Sequence, residues 1–237
     1  MPEIKKLELS PSISIIIAGV IIAGAIYVSN NRPATAPVAT TNTAQQAGPA
    51  VDVSQVKTAG EPFIGNVNAP LTIAYWYDYQ CPFCRRHEEQ TMPQLIKDYV
   101  DTGKAKIIFK DYQFLGPDSQ TLGQFARAVW AVSPGKFYEW HKAVYDNQGT
   151  ENTGWATQSK IFSITTSVLG ASDTNKVATL VKTNGDAYQK EMDADKAEGT
   201  AFGVTGTPAM VIGKQLVSGA VPYAQFKTAV ETALAGK

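Results

Sequence analysis

Apolar and polar positions change period several times along this chain. The run Leu71-Thr72-Ile73-Ala74-Tyr75-Trp76-Tyr77 is short, aromatic and β-branched, as a buried strand is. Beyond Asp78-Tyr79-Gln80 the period lengthens. Met92, Leu95, Ile96, Tyr99 and Val100 recur at helical spacing, which predicts a helix opening at Cys81. Pro93 lies inside that helix, so a kink or break is expected near Thr91 and Met92. Thr102-Gly103 ends it, and residues 104–110 read as a second strand. Strand, helix, strand implies a parallel pair with a right-handed crossover.

Helical spacing returns at Leu122, Phe125, Ala126, Val129 and Trp130. It resumes after Ser133-Pro134-Gly135 at Phe137, Trp140, Val144 and Tyr145. Two more helices are predicted over residues 161–169 and 177–181, and a last long one over residues 186–202. A Gly213-Lys214 turn then joins two short apolar runs as a hairpin, and a terminal helix is expected from Pro222 to about residue 234. The sum is an α/β fold: a small mixed sheet with helices on both faces, interrupted by an α-helical insertion at about residues 117–200.

Two segments precede this part. Residues 13–28 are almost wholly apolar, and with Pro11, Ser12 and Ser29 they approach the roughly 20 residues that span a bilayer. A cleaved signal peptide is the rival reading. The only Ala-x-Ala after the run, Ala34-Thr35-Ala36, is followed by Pro37, which is expected to hinder cleavage, so a retained transmembrane anchor over residues 11–29 is favoured. Lys5 and Lys6 precede the span and only Arg32 closely follows it, placing residues 1–10 in the cytoplasm and the rest outside. Residues 30–60 carry hardly any charge and read as a disordered tether with a reach on the order of 30 Å, residues 51–56 being alternatively a folded strand. The globular domain is then residues 61–237. Lys plus Arg and Asp plus Glu both number 21, and no basic stripe or helix is present, so nucleic acid is not an expected partner.

The chemistry gathers at Cys81-Pro82-Phe83-Cys84, which holds both cysteines of the chain where a strand gives way to a helix. Helix first turns present unpaired N–H groups and the positive end of the macrodipole, so a thiolate at Cys81 should form below the roughly 8.5 of a free cysteine. Cys84, one turn on, is placed to close a disulfide or resolve a mixed one. Pro82 suits a first turn, where its missing N–H would go unpaired anyway. Three readings compete. A structural disulfide three residues apart restrains the unfolded chain little. A metal site of Cys81, Cys84 and His87 lacks an evident fourth ligand and a second Cys-x-x-Cys. Redox exchange is the third and favoured reading, with disulfide formation expected first and reduction or isomerisation by the same pair as the alternative, and a lone dithiol pair makes most sense where substrates acquire disulfides, in a periplasm or on a cell surface. It needs no metal or other cofactor. Asp78 is a candidate proton acceptor for Cys84, or equally a helix cap. Arg85 and Arg86 could raise the local potential or simply line a solvated face.

Asp78-Tyr79-Gln80-Cys81-Pro82-Phe83-Cys84, Gly203-Val204-Thr205-Gly206-Thr207-Pro208, Val217-Ser218-Gly219-Ala220 and Gly135-Lys136-Phe137 together resemble a thioredoxin-fold disulfide oxidoreductase of the bacterial DsbA type, from about Pro62 to the C-terminus. The resemblance implies a thioredoxin fold with the helical block as its insertion. It also implies a cis bond at Thr207-Pro208, where sequence alone would read an ordinary turn. Pro208 would pack beside the cysteine pair, and Thr207 would contact substrate backbone, with Pro82 and Phe83 beside them. A peptide could then pair with this backbone as an extra strand. Strong oxidants of the family carry His where Phe83 stands, so Cys81 is expected to be acidic but less extreme. Expected partners are cysteine-containing secreted or membrane proteins and a quinone-linked re-oxidising partner in the membrane.

Overall fold

The computed structural model describes residues 51–236. The expected N-terminal tail, anchor and tether up to residue 50 lie outside them. Among the described residues no helix is long and apolar enough to cross a membrane.

Five strands, β1 (Phe63–Ile64), β2 (Leu71–Tyr77), β3 (Ala105–Asp111), β4 (Ala209–Ile212) and β5 (Gln215–Ser218), form one sheet in the order β1-β3-β2-β4-β5. β2 and β3 are parallel, with Leu71 opposite Ala105 and Tyr77 opposite Asp111, as the strand–helix–strand pattern requires. β4 runs antiparallel to β2, with Trp76 opposite Ala209, and turns at Gly213-Lys214 into β5. β1 is antiparallel to β3. It was not foreseen, because two residues carry no period.

β2 is central and buried on both faces. Leu71, Ile73, Tyr75 and Tyr77 enter the larger core, whereas Ala74 and Trp76 face a smaller one, the alternation a strand imposes. Against the larger core lie α1 (Pro82–Gln90), α2 (Met92–Leu95), continued by a π turn over Ile96–Val100, and α7 (Tyr223–Ala235). α1 and α2 are broken at Thr91, where Pro93 lacks the N–H that a continuous helix would use. The insertion between β3 and β4 comprises α3 (Pro117–Val132), α4 (Phe137–Asp146), α5 (Gln158–Leu169) and α6 (Ala171–Ala201).

Two expectations need correction. The helices expected over residues 177–181 and 186–202 are one, α6. Between them Thr183 and Asn184 disfavour helix mildly and Gly185 by about 1 kcal/mol, and anchors at both ends, Val177 in one half and Met192 in the other, offset this. The tether, expected to reach residue 60, gives way to packed chain at Val51. Val51, Val53 and Val56 are buried with Trp76, Tyr112, Val204 and Val211, and Val53–Gln55 form a 3-10 turn instead of a strand. The cause is the sheet's second face, whose apolar side chains need a covering layer.

A buried ion cluster ties this segment to the rest. Lys110, fully buried on β3, contacts Glu61 at 3.3 Å, Asp195 at 2.5 Å and Glu198 at 2.9 Å. Arg127 of α3 bridges Asp111 at 2.7 Å, Glu61 at 2.6 Å and also Asp195. Single members of such a cluster cannot be lost without stranding a buried charge. A fragment beginning at Gly60 keeps Glu61 but loses three buried valine side chains, so it should be less stable than one beginning at Ala47 by about 5 kcal/mol, at about 1.5 kcal/mol each, and melt roughly 15 °C lower. Calorimetry on the two fragments checks this.

Candidate active site

β2 delivers the chain to Asp78 at the C-terminal edge of the sheet. The Asp78 carboxylate is buried and accepts four hydrogen bonds. Oδ1 takes Gln80 N–H at 2.7 Å and Ser119 O–H at 2.6 Å, and Oδ2 takes Phe114 N–H at 2.8 Å and Leu115 N–H at 3.0 Å. Burial raises its pKa and these donors oppose the rise. Neither expected role fits this geometry: the four donors include no thiol, and α1 has no side-chain cap. Asp78 instead clips the turn before α1 to the loop after β3 and the start of α3.

Cys81 is the N-cap of α1 with extended backbone, and Pro82 is the first helical residue. With Asp78 turned away, the first-turn N–H groups are left for sulfur. Both cysteines are free thiols, Cys81 4% exposed and Cys84 not at all. The Cys81 pKa is lowered to about 6, chiefly because the Cys84 thiol donates to its sulfur. The N–H groups of Cys84 and Phe83 add to this, against the opposing effect of burial. Burial, and then the negative sulfur of Cys81, push Cys84 well above its ordinary value. One proton is thus unequally shared between two neighbouring sulfurs.

The Thr207-Pro208 bond is cis, as the resemblance implied, and Cys81 Sγ donates to Thr207 O at 3.3 Å. The loop after β5 steadies this segment, Gly219 N–H donating to Pro208 O at 2.7 Å. Phe83 is 54% exposed beside the pair. Arg86 lies 5.1 Å over its ring and donates to Ala220 O, whereas Arg85 pairs with Glu89. His87 does not turn toward solvent as a third ligand would. Its ring is buried between Tyr75 and Phe226, and burial lowers its pKa to about 4. Among the described residues no three side chains of metal-binding type converge.

Sequence reasoning brought Cys81, Pro82, Phe83, Cys84, Thr207 and Pro208 to one place, and so they lie. It missed the underside. From the end of α4, Tyr145 O–H donates to Asp78 O at 3.0 Å, and Gln148 just beyond donates to Tyr79 O at 2.8 Å and Cys81 O at 3.2 Å. His141 and Glu88 are buried there too. None of these contacts leaves a signal in local sequence, since most span over 50 residues.

The family profile described as Thioredoxin matches residues 57–232. The chain belongs to this family. It is 26% identical over 201 residues to disulfide bond formation protein D of Bacillus subtilis, covering 83% of this chain and 86% of that protein. Among solved structures of the family's fold, BdbD from Bacillus subtilis in its oxidised form superimposes with a TM-score of 0.70 at 23% identity, over 79% of this chain and 99% of that one. The thiol-disulfide exchange protein alpha-DsbA2 of Wolbachia pipientis superimposes with a TM-score of 0.63 at 25% identity, over 73% and 87%.

Two outcomes follow for the reduced protein. Alkylation of Cys81 by iodoacetamide should titrate near pH 6, against about 8.5 for a free thiol, with Cys84 unreactive across that range. A depressed folded-state pKa adds stability that is present above the unfolded value and lost as pH falls through the folded one. The stability of the reduced form relative to the oxidised form should therefore fall as pH drops from about 9 to about 6. Melting both forms across that window checks the sign.

Proposed function

We propose that this chain is a thiol–disulfide oxidoreductase that forms disulfides in proteins outside the cytoplasm. The observation that carries the reading is the split pair: Cys81 made acidic at a helix tip, its sulfur 3.3 Å from Thr207 O, with Cys84 buried and harder to ionise beside it. Its relatedness to disulfide bond formation protein D supports the direction.

The active form carries a Cys81–Cys84 disulfide. A substrate thiolate attacks the more accessible sulfur, Cys81, giving a mixed disulfide, and Cys84 leaves. A second substrate thiolate attacks the substrate's own sulfur and Cys81 leaves as thiolate, so the enzyme's disulfide passes to the substrate. A low pKa makes Cys81 a good leaving group and stabilises the reduced enzyme, which is what an oxidant requires. Thr207 and Pro208 offer backbone on which an extended peptide lies beside Cys81, and the exposed Phe83 ring, next to Pro82, gives it an apolar floor. Substrates are cysteine-containing secreted or membrane proteins. Residues 11–29 anchor the chain in the membrane, which keeps it near a quinone-linked partner that re-oxidises it.

Cys81→Ser should abolish oxidative refolding of a reduced test protein, whereas Cys84→Ser should accumulate mixed disulfides visible on non-reducing gels. Trapped complexes with Cys81→Ser would reverse the roles. The reduction potential of the pair should lie well above the roughly −270 mV of thioredoxin. A value at or below that would make the chain a reductase.

A further inference from the structure

The Cys81 sulfur meets the helix end only if one backbone angle is right. Cys81 is the N-cap of α1 at φ −71° and ψ 116°, so the N–H groups within reach of its side chain are those of Phe83 and Cys84. The sulfur lies on one side of the Cys81 ψ bond and those N–H groups lie on the other. Rotation about ψ therefore carries the sulfur toward them or away. The near side is held, since Cys81 N–H donates to Asp78 O at 3.1 Å. The far side lacks the usual fastenings, because α1 has no side-chain cap bond and Pro82 brings no N–H. Pro82 keeps Cys81 out of the helical region but leaves it a ψ range of roughly 40°.

What narrows that range comes from the insertion. Gln148, just beyond α4, donates from its side-chain amide to Tyr79 O at 2.8 Å and to Cys81 O at 3.2 Å. These carbonyls stand on either side of the backbone angles of Gln80 and Cys81, so a single amide group spans them. The other donor to Cys81 O, Arg85 N–H at 3.2 Å, belongs to α1 and turns with it. The loop that carries Gln148 is itself pinned. Asn152 N–H donates to Gln80 Oε1 at 2.8 Å, a further tie to the same turn, and Gly149 lies flat on Trp155, where a Cβ would stand 2.5 Å from Trp155 Cβ.

We infer that Gln148 is a positioning residue for disulfide exchange: by clamping the Tyr79 and Cys81 carbonyls it sets the angle at which the Cys81 sulfur faces the first-turn N–H groups of α1. The inference rests on the exchange reading above. Gln148 makes and breaks no bond to sulfur in any step. Its hold matters when Cys81 leaves as thiolate, because the charge then falls on a sulfur already aimed at its donors. Without the clamp the thiolate keeps the helix end only part of the time, the reduced protein loses stabilisation, and the pair becomes a weaker oxidant.

The test is equilibration of the purified full-length protein with glutathione redox buffers, the reduced fraction being read by thiol labelling. Gln148→Met keeps the length of the side chain and removes both donors. It should shift the equilibrium about 10-fold toward the oxidised protein, which is roughly 30 mV in potential, and raise the iodoacetamide midpoint of Cys81. Gln148→Asn keeps the amide but is a methylene too short to span both carbonyls. It should shift the equilibrium in the same direction, and it decides the matter if Gln148→Met does not fold. Thr153→Ala is the control for a loosened loop, since it removes the Thr153 O–H bond to Thr150 O at 2.7 Å and leaves the clamp in place. It should equilibrate like the wild type. Gln148 variants that melt lower yet hold the wild-type equilibrium would reveal a fastening with no bearing on the sulfur, and overturn the inference. A Thr153→Ala variant that shifts as far as Gln148→Met would overturn it too. Either result leaves the oxidoreductase reading standing, which falls only if the wild-type protein does not exchange with glutathione at all.

Discussion

The unequal division of one proton between two adjacent sulfurs is the constraint on which the rest depends. It requires opposite environments within one helical turn. Cys81 sits at the open N-terminus of α1, where backbone N–H groups have no helical acceptors, and Cys84 sits inside the core. A carboxylate commonly caps such a terminus and would compete for the same donors. Here the nearest acid, Asp78, is drawn off by four donors from the turn before α1, the loop after β3 and α3, so the sulfur has the helix end to itself.

Strand register supplies the opposing wall. β2 leads into Cys81, and β4 is antiparallel to it with Ala209 opposite Trp76, so the residues just before β4 must emerge at the end of the sheet where α1 begins. That is why Thr207, 126 residues from Cys81, reaches its sulfur. The register is fixed by burial on both faces of β2, since a slip of one residue would exchange Trp76 with its bulky neighbours between the two cores. Gly199 completes the fit on the smaller side. A Cβ there would stand 2.6 Å from Trp76 Nε1, so only glycine lets α6 approach, and that same indole donates to Asp195 O at 2.9 Å.

What could be read from the chain follows from how local each determinant is. The strand at residues 71–77, the helix break at Pro93, the hairpin at Gly213-Lys214 and the Cys-x-x-Cys at a helix start are each written within a few residues, and the structure reproduces them. The cis bond before Pro208 was legible only through resemblance, because a local reading gives an ordinary turn. Val51, Val53 and Val56 looked like tether because uncharged small residues suit a linker. Their role depends on an apolar sheet face built by residues far downstream. Asp78 could be singled out from its place before Cys81, but not its partners, since Ser119, Phe114 and Leu115 come to it only through the fold.

The inserted helices are therefore part of the chemistry and not a covering added to it. α4 brings Tyr145 and His141 beneath the thiols, and Gln148 follows it to hold the Cys81 carbonyl. A thioredoxin sheet with α1 alone would leave the inner sulfur nearer to water, where solvent could exchange its proton directly and the two pKa values would lie closer together. By sealing Cys84, the insertion widens the difference between the sulfurs. Glu88 of α1 and His141 of α4 meet within that seal at 3.2 Å, so a buried polar contact joins the insertion to the helix that carries the thiols.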